Sequence, residues 1–278
     1  MILFIVPAYN EEKNIGLLLE KTKKKMDEIK YDFKVIVVND GSTDKTKEIV
    51  ESYKDSIPVE VISHYPNKGV TKTFIVGFER ALRIAEIDDI IITKEADNTS
   101  DLDILEAMIK KIKDGKDVVL ASCYAREGKI LNTTRFRLIL SYSANKILKI
   151  FFPIPGINTY SSFYRAFNAD ILKKAFKVYG SRIMTIHGFV CVVEMLVNLR
   201  RFPISFVEVP LILDAKKRVG ISKMRNYQCF VRYVEFFLMQ LFRSREKEKE
   251  RIKHFDKLKL NKVTKAYPVH KAYPVQCI

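Results

Sequence analysis

Apolar residues fall along the first 125 positions as short runs separated by longer amphipathic stretches. The runs Ile2–Val6, Phe33–Asn39, Val59–Ser63, Asp89–Thr93 and Asp117–Ala121 are β-rich and read as strands. Between them, helical periodicity covers roughly 11–29, 43–54, 68–84 and 101–113. Strand and helix alternating at this spacing predict βαβ units around a mostly parallel sheet, an α/β fold. The stretches Val35-Ile36-Val37-Val38 and Ile90-Ile91-Ile92 are continuous rather than alternating, as expected of strands covered on both faces.

Beyond residue 125 the pattern changes. An amphipathic stretch from 130 to 152 carries Arg135, Arg137, Lys146 and Lys149 among Ile, Leu and Phe. A turn at Pro153–Gly156 leads to the polar-aromatic segment NTYSSFYRAF, then a helix near 188–200 and a strand at Ile204–Val209. A basic loop, Lys216 to Lys223, precedes an aromatic-rich helical stretch over 227–242, and charges alternate over 243–253. The last residues repeat KAYPV at Lys265–Val269 and Lys271–Val275; two copies of five residues make no repeat architecture and read as a flexible tail. The chain therefore divides into 1–125, 126–225 and 226–278: a sheet-forming half, a second half of the same domain, and an amphipathic helix with a charged tail.

Ligands on parallel sheets bind beyond the carboxyl ends of the strands, and three strands here run directly into polar residues. The fourth run ends in Glu95-Ala96-Asp97, two carboxylates that point to one side while the chain stays extended. Such a pair can share a hard divalent cation bridging diphosphate oxygens; a capping role for Asp97 at the next helix is the alternative. The second run ends in Asp40-Gly41-Ser42-Thr43, where a carboxylate can accept from a base N–H or simply make the turn. After the first run, Pro7, Tyr9 and Glu11 follow, with Tyr9 offering an aromatic face to a base or ribose. Lys68 and Gly69 open a further helix, where glycine allows close backbone approach and lysine meets phosphate.

Charge sharpens the division. The net charge is +16, yet residues 1–125 hold 19 Lys+Arg against 23 Asp+Glu, so the basic character belongs to the rest of the chain. That asymmetry suggests an anionic partner for the second half, against the alternative of a solvated lysine-rich surface. Nucleic acid is disfavoured, because no recognisable nucleic-acid motif accompanies the charge. Cys123, Cys191, Cys229 and Cys277 are scattered, which argues against a disulfide framework or zinc site and suits a reducing cytoplasm. No run of about 18 uncharged apolar residues is present, and the first residues do not read as a signal peptide.

The segments VPAYNEEKNI, VVNDGSTDKT, NKGVTKTFIVGFERAL and KEAD resemble, in order and spacing over about residues 1–225, the motifs of family-2 glycosyltransferases with the GT-A fold. Within that family the resemblance is to dolichol-phosphate mannose synthases and other polyprenyl-phosphate glycosyltransferases. It implies an inverting transfer of a hexose from a GDP- or UDP-sugar, assisted by Mg or Mn. Pro7, Tyr9, Glu11, Asp40, Lys68, Gly69 and Ala96 would then line the nucleotide-sugar, and Glu95 and Asp97 would hold the metal. FRLILSYSAN resembles the lipid-phosphate segment, placing Arg137 and Ser141 on the acceptor. KRVGISK resembles a later basic loop, adding Arg218 and Ser222 to the acceptor phosphate and giving Asp97, Arg218 and Lys223 catalytic roles.

The resemblance further implies a polyprenyl phosphate partner and a peripheral position on the cytoplasmic face of a membrane, with the helix over 227–242 at the interface or packed on a core or partner chain. Three positions depart from the family pattern: Glu95 replaces the first aspartate, Cys123 an arginine and Asn158 an aspartate. A hydroxyl acceptor such as a glycan is the alternative, and it needs a general base. His187 and Glu194 are the candidates, though His187 reads better as a structural or acceptor-pocket residue.

Overall fold

The computed structural model describes residues 1–220 and 226–260. Nine strands are present among them: β1 (Ile2–Ala8), β2 (Phe33–Asn39), β3 (Val59–Ser63), β4 (Ile90–Thr93), β5 (Val118–Ser122), β6 (Lys129–Leu131), β7 (Arg165–Asn168), β8 (Phe206–Pro210) and β9 (Ile212–Asp214). The helices are α1 (Ile15–Ile29), α2 (Thr46–Ser52), α3 (Val70–Ile84), α4 (Leu105–Lys113), α5 (Arg135–Phe151), α6 (Ala169–Tyr179), α7 (Cys191–Leu199), α8 (Asn226–Leu241) and α9 (Arg245–Leu260).

Seven strands form one sheet in the order β3-β2-β1-β4-β7-β5-β8, and β6 and β9 form a small parallel pair. All neighbours in the large sheet are parallel except β7, which runs antiparallel to β4 and to β5. The second half of the chain thus completes the sheet begun by the first.

Continuous apolar strands are explained by cover on both faces. Leu3, Ile5, Ile36 and Val38 point to one side and pack with Phe74 and Phe78 of α3, Phe176 of α6 and the wholly buried α7. Ile2, Phe4, Val35 and Val37 point to the other, against Leu18 and Leu19 of α1, Val50 of α2 and Met108 and Ile109 of α4. Alternate side chains of a strand leave on opposite faces, so parity alone assigns each residue to its layer.

Each of the first four helices begins two to four residues later than its periodicity predicts. The residues ahead of them are held in the loops at the strand ends. Several elements go beyond the sequence reading, the small pair β6 and β9 among them. β7 lies inside the segment read only as polar-aromatic, and α6 follows it directly, its side chain at Asn168 capping the helix by accepting from Ile171 N–H. The alternating charges over 243–253 belong to helix α9. Phe255 of α9 stacks on Phe202 with ring centroids 3.9 Å apart, and both rings are buried. Glu248 of the same helix receives Arg201, Arg243 and Arg251. The KAYPV copies and Cys277 lie outside the described residues; Cys123, Cys191 and Cys229 are unbonded thiols.

Candidate active site

The C-terminal ends of β1, β2 and β4 form the crest on which the predicted donor residues sit. At the end of β2, Asp40 is buried and accepts three hydrogen bonds. His64 Nδ1 lies 2.8 Å from Oδ1, Lys68 N–H donates to the same oxygen at 2.9 Å, and Gly69 N–H donates to Oδ2 at 2.8 Å. Burial pushes this carboxyl up, but the hydrogen bonds from His64, Lys68 and Gly69 outweigh it and hold it below its usual value. Asp40 therefore ties the loop after β3 to the end of β2. Gly41 makes the approach feasible: its φ is +70°, and a Cβ there would lie 2.7 Å from Asn67 N. The Lys68 side chain is exposed, as is much of Tyr9, so both face solvent on this crest.

His64 was not singled out by the sequence. The signal for it is register: Asn39 of β2 pairs with Ser63 of β3, so the next residues, Asp40 and His64, are lateral neighbours.

The loop after β1 is tied to the loop after β2: Asn10 N–H donates to Ser42 Oγ and Glu11 N–H to Thr46 Oγ1, while Thr43 N–H donates to Asn10 Oδ1. Pro7 lies within β1, and Ala96 is buried between the two carboxylates of the acidic run.

Asp97 is largely buried. Its Oδ1 accepts from Thr99 N–H and Thr99 Oγ1, and its Oδ2 accepts from Arg218 Nε at 2.8 Å and from Arg218 Nη2. Burial pushes this carboxyl up; the Arg218 charge and the Thr99 hydrogen bonds more than offset it and hold it below its usual value. Glu95 behaves oppositely. Its side chain keeps 20% exposure, but Oε2 is enclosed and has no hydrogen-bond partner among the described residues. Burial raises its pKa above the ordinary value, opposed by Lys94 and reinforced by Asp97.

The basic loop closes over this run. Besides Arg218 on Asp97, Lys217 pairs with Asp101, Asp214 N–H donates to Thr99 O, and Val219 exchanges two hydrogen bonds with the Asn14 side chain. Asn14 Nδ2 also donates to Glu11 Oε2. The structure thus joins Glu11, Asp97 and Arg218 through one loop. Ser222 and Lys223 lie outside the described residues.

Of the predicted acceptor residues, Arg218 belongs to this loop and is paired with Asp97, whereas Arg137 and Ser141 are on α5. Ser141 Oγ accepts from Tyr124 Oη at 2.8 Å, and the Arg137 side chain is exposed. Tyr124 follows Cys123, whose thiol faces Glu95 and Glu208 and is pushed up to about 12, mainly by burial. Asn158 donates to Glu208 from its backbone N–H and from Nδ2, and accepts from Lys149 Nζ at 2.6 Å. An aspartate at 158 would set a second carboxylate against Glu208, so asparagine suits this partner.

Of the two base candidates, Glu194 is engaged by its own neighbours. Glu194 accepts from Thr185 N–H, Thr185 Oγ1 and Ile186 N–H, and His187 is exposed in the following turn.

A carboxylate crest on a mostly parallel sheet, with one antiparallel strand near its centre, is the arrangement of a GT-A glycosyltransferase. The family model described as Glycosyl transferase family 2 matches residues 3–176, and this chain belongs to that family. It is 27% identical over 227 residues to a dolichol-phosphate mannosyltransferase of Pyrococcus furiosus, the match covering 81% of this chain and 60% of that protein's length. It is 25% identical over 224 residues to a polyprenol monophosphomannose synthase of Mycolicibacterium smegmatis, covering 80% of each. Among solved structures it resembles glucosyl-3-phosphoglycerate synthase of Mycobacterium tuberculosis, with a TM-score of 0.57 and 16% identity over 86% of this chain and 79% of that one. It also resembles mannosyl-3-phosphoglycerate synthase of Rubrobacter xylanophilus, with a TM-score of 0.58 and 16% identity over 88% and 76% of the two chains. At such identities the structural likeness speaks for the fold alone.

Proposed function

We propose that this glycosyltransferase moves a hexose from a GDP- or UDP-sugar to a polyprenyl phosphate, inverting the anomeric centre, while docked on the cytoplasmic face of a membrane. The observation that carries the acceptor side is helix α5. It holds Arg137 and Ser141, contains four basic residues and no acidic one, and buries only Asn145 and Leu148. Phe136, Ile139, Leu140, Ile147, Ile150 and Phe151 are all exposed on it.

Helix α8 continues this character. Phe236 and Phe237 meet Phe151 and Phe152 at the end of α5, while Tyr227, Phe230, Val231, Val234, Leu238 and Leu241 form an outward stripe at helical spacing. Full burial of one such side chain is worth about 1.5–3 kcal/mol, so the two helices together favour an apolar neighbour strongly. Cations among exposed apolar residues suit an anionic lipid surface. A second copy would bring like charges on α5 face to face. No helix among the described residues is long and apolar enough to cross a membrane.

On the donor side, the residues fit a divalent cation such as Mg or Mn. Glu95 Oε2 is an enclosed oxygen with no hydrogen bond, and Asp97 Oδ2 already holds a cation, the Arg218 guanidinium. No cluster of three or more His, Cys, Asp or Glu suited to a metal exists among the described residues, so the diphosphate itself would complete the ligand set. When bound, the ion supplies neutralisation of the departing nucleoside diphosphate. The protein's own contribution is to position Tyr9, Glu11, Asp40, Lys68 and Gly69 along the nucleotide-sugar and to present Arg218 beside the diphosphate. An acceptor phosphate is already anionic and attacks without a base. The engagement of Glu194 by three donors supports that acceptor over a hydroxyl.

The test is incubation of the protein with labelled GDP-mannose or UDP-glucose, Mn²⁺ and dolichyl phosphate in vesicles. Lipid-linked sugar is the expected product. Label appearing only in water-soluble glycan, or in free sugar, would overturn the acceptor assignment.

A further inference from the structure

Lys94 lies immediately before the acidic run and turns inward. Only 1% of it is exposed, and Nζ has no hydrogen-bond acceptor among the described residues. Its nearest charged group is Glu95 Oε2 at 3.6 Å, and it sits 5.0 Å from the centroid of the Tyr164 ring. Tyr164 Oη, also buried, has no hydrogen-bond partner among the described residues either. An ammonium enclosed this way is costly unless a charge compensates it. A strand end packed on apolar neighbours would be satisfied by methionine or leucine, so the lysine needs an electrostatic reason.

The second carboxylate of the run has its own cation, because Arg218 Nε holds Asp97 Oδ2 at 2.8 Å. Each carboxylate of the metal-binding pair is thus already matched by a protein cation. A divalent ion added alone would leave the enclosed site with an excess of positive charge. The diphosphate of a nucleotide-sugar carries one negative charge per phosphoryl group, which restores neutrality when ion and donor are both present.

The geometry points to Lys94 as a positioning residue that makes cation uptake depend on the diphosphate: free divalent ion binds weakly, and ion with nucleotide binds well. This rests on the reading of Glu95 and Asp97 as the metal pair. It adds a role for a residue that does not itself touch donor or acceptor.

The test is titration of Mn²⁺ into the full chain, followed by the electron paramagnetic resonance signal of the free ion, alone and with UDP or GDP. Wild type should bind Mn²⁺ at least roughly tenfold more weakly without nucleotide than with it. Lys94→Met should tighten binding of Mn²⁺ alone by roughly tenfold or more and shrink that gap. Lys94→Arg, which keeps the charge, should retain the wild-type gap. It serves as the reference if the methionine variant melts early. Equal affinity of wild type and Lys94→Met for Mn²⁺ alone, with nucleotide-dependent binding intact, overturns the role of Lys94 and leaves the metal pair standing. Mn²⁺ binding that persists unchanged in Glu95→Gln and Asp97→Asn, or that never appears, overturns the metal pair and this proposal with it.

Discussion

Three donors converge on the Asp40 carboxylate, two of them backbone N–H groups at the start of α3. In Asp40→Asn a single carboxamide oxygen cannot accept on both sides, and at least one enclosed donor is orphaned. A loss of about 1–3 kcal/mol is expected, read as a lowered urea midpoint at unchanged slope. The pH dependence has a definite sign. The folded pKa of Asp40 lies below its ordinary value of 3.8, so its contribution is present above that value and fades as the pH falls through the folded one. The gap in Tm between wild type and Asp40→Asn should therefore narrow on acidification below pH 3.8; a constant gap would contradict the role given to the carboxylate. Gly41→Ala attacks the same junction from the backbone. It forces a side chain to φ +70° and against Asn67 N, so a loss of about 1–3 kcal/mol should accompany weaker nucleotide binding by calorimetry. Asp40 was legible in the sequence as a strand-end carboxylate. Its partner His64 was not, because the pairing depends on the register of two strands rather than on either alone.

Ile139 of α5 and Leu238 of α8 are exposed apolar side chains, so their polar replacement should leave the fold intact. Ile139→Ser and Leu238→Ser are expected to reduce co-sedimentation with anionic vesicles while changing stability by no more than about 0.5 kcal/mol. A large drop in Tm would instead place these residues in a packed interface. Helix α9 is the opposite case. Glu248→Gln leaves Arg201, Arg243 and Arg251 facing one another without the carboxylate that joins them, and a loss of about 3–5 kcal/mol is expected by chemical denaturation. The elements of the first 125 residues were readable because their strands are continuous apolar runs bounded by polar turns. β7 was hidden by Arg165, a charge inside a central strand, whose Nη1 and Nη2 donate there to Val192 O and Tyr160 O. α9 was hidden because only a few of its residues, Phe255 and Glu248 among them, anchor it, which leaves its sequence to read as alternating charge.

The molecule as a whole is built on one seven-stranded sheet shared by both halves of the chain, with the acidic crest contributed early and the basic surfaces late. β4 brings the acidic run, yet one of its two neighbours is β7, which begins only at Arg165. During synthesis the ribosome therefore releases β4, every residue of which is buried in the finished fold, well before the strand that covers its open side exists. A nascent chain in that state carries a bare hydrogen-bonding edge, a template for mispairing. Residues 1–125 expressed alone should be insoluble, and co-expression with 126–278 should recover soluble complex on a size-exclusion column. A soluble, monomeric 1–125 fragment would mean that the first half of the chain closes its own edge. The antiparallel strand thus sets the point in translation before which the acidic strand end has no partner on its open side.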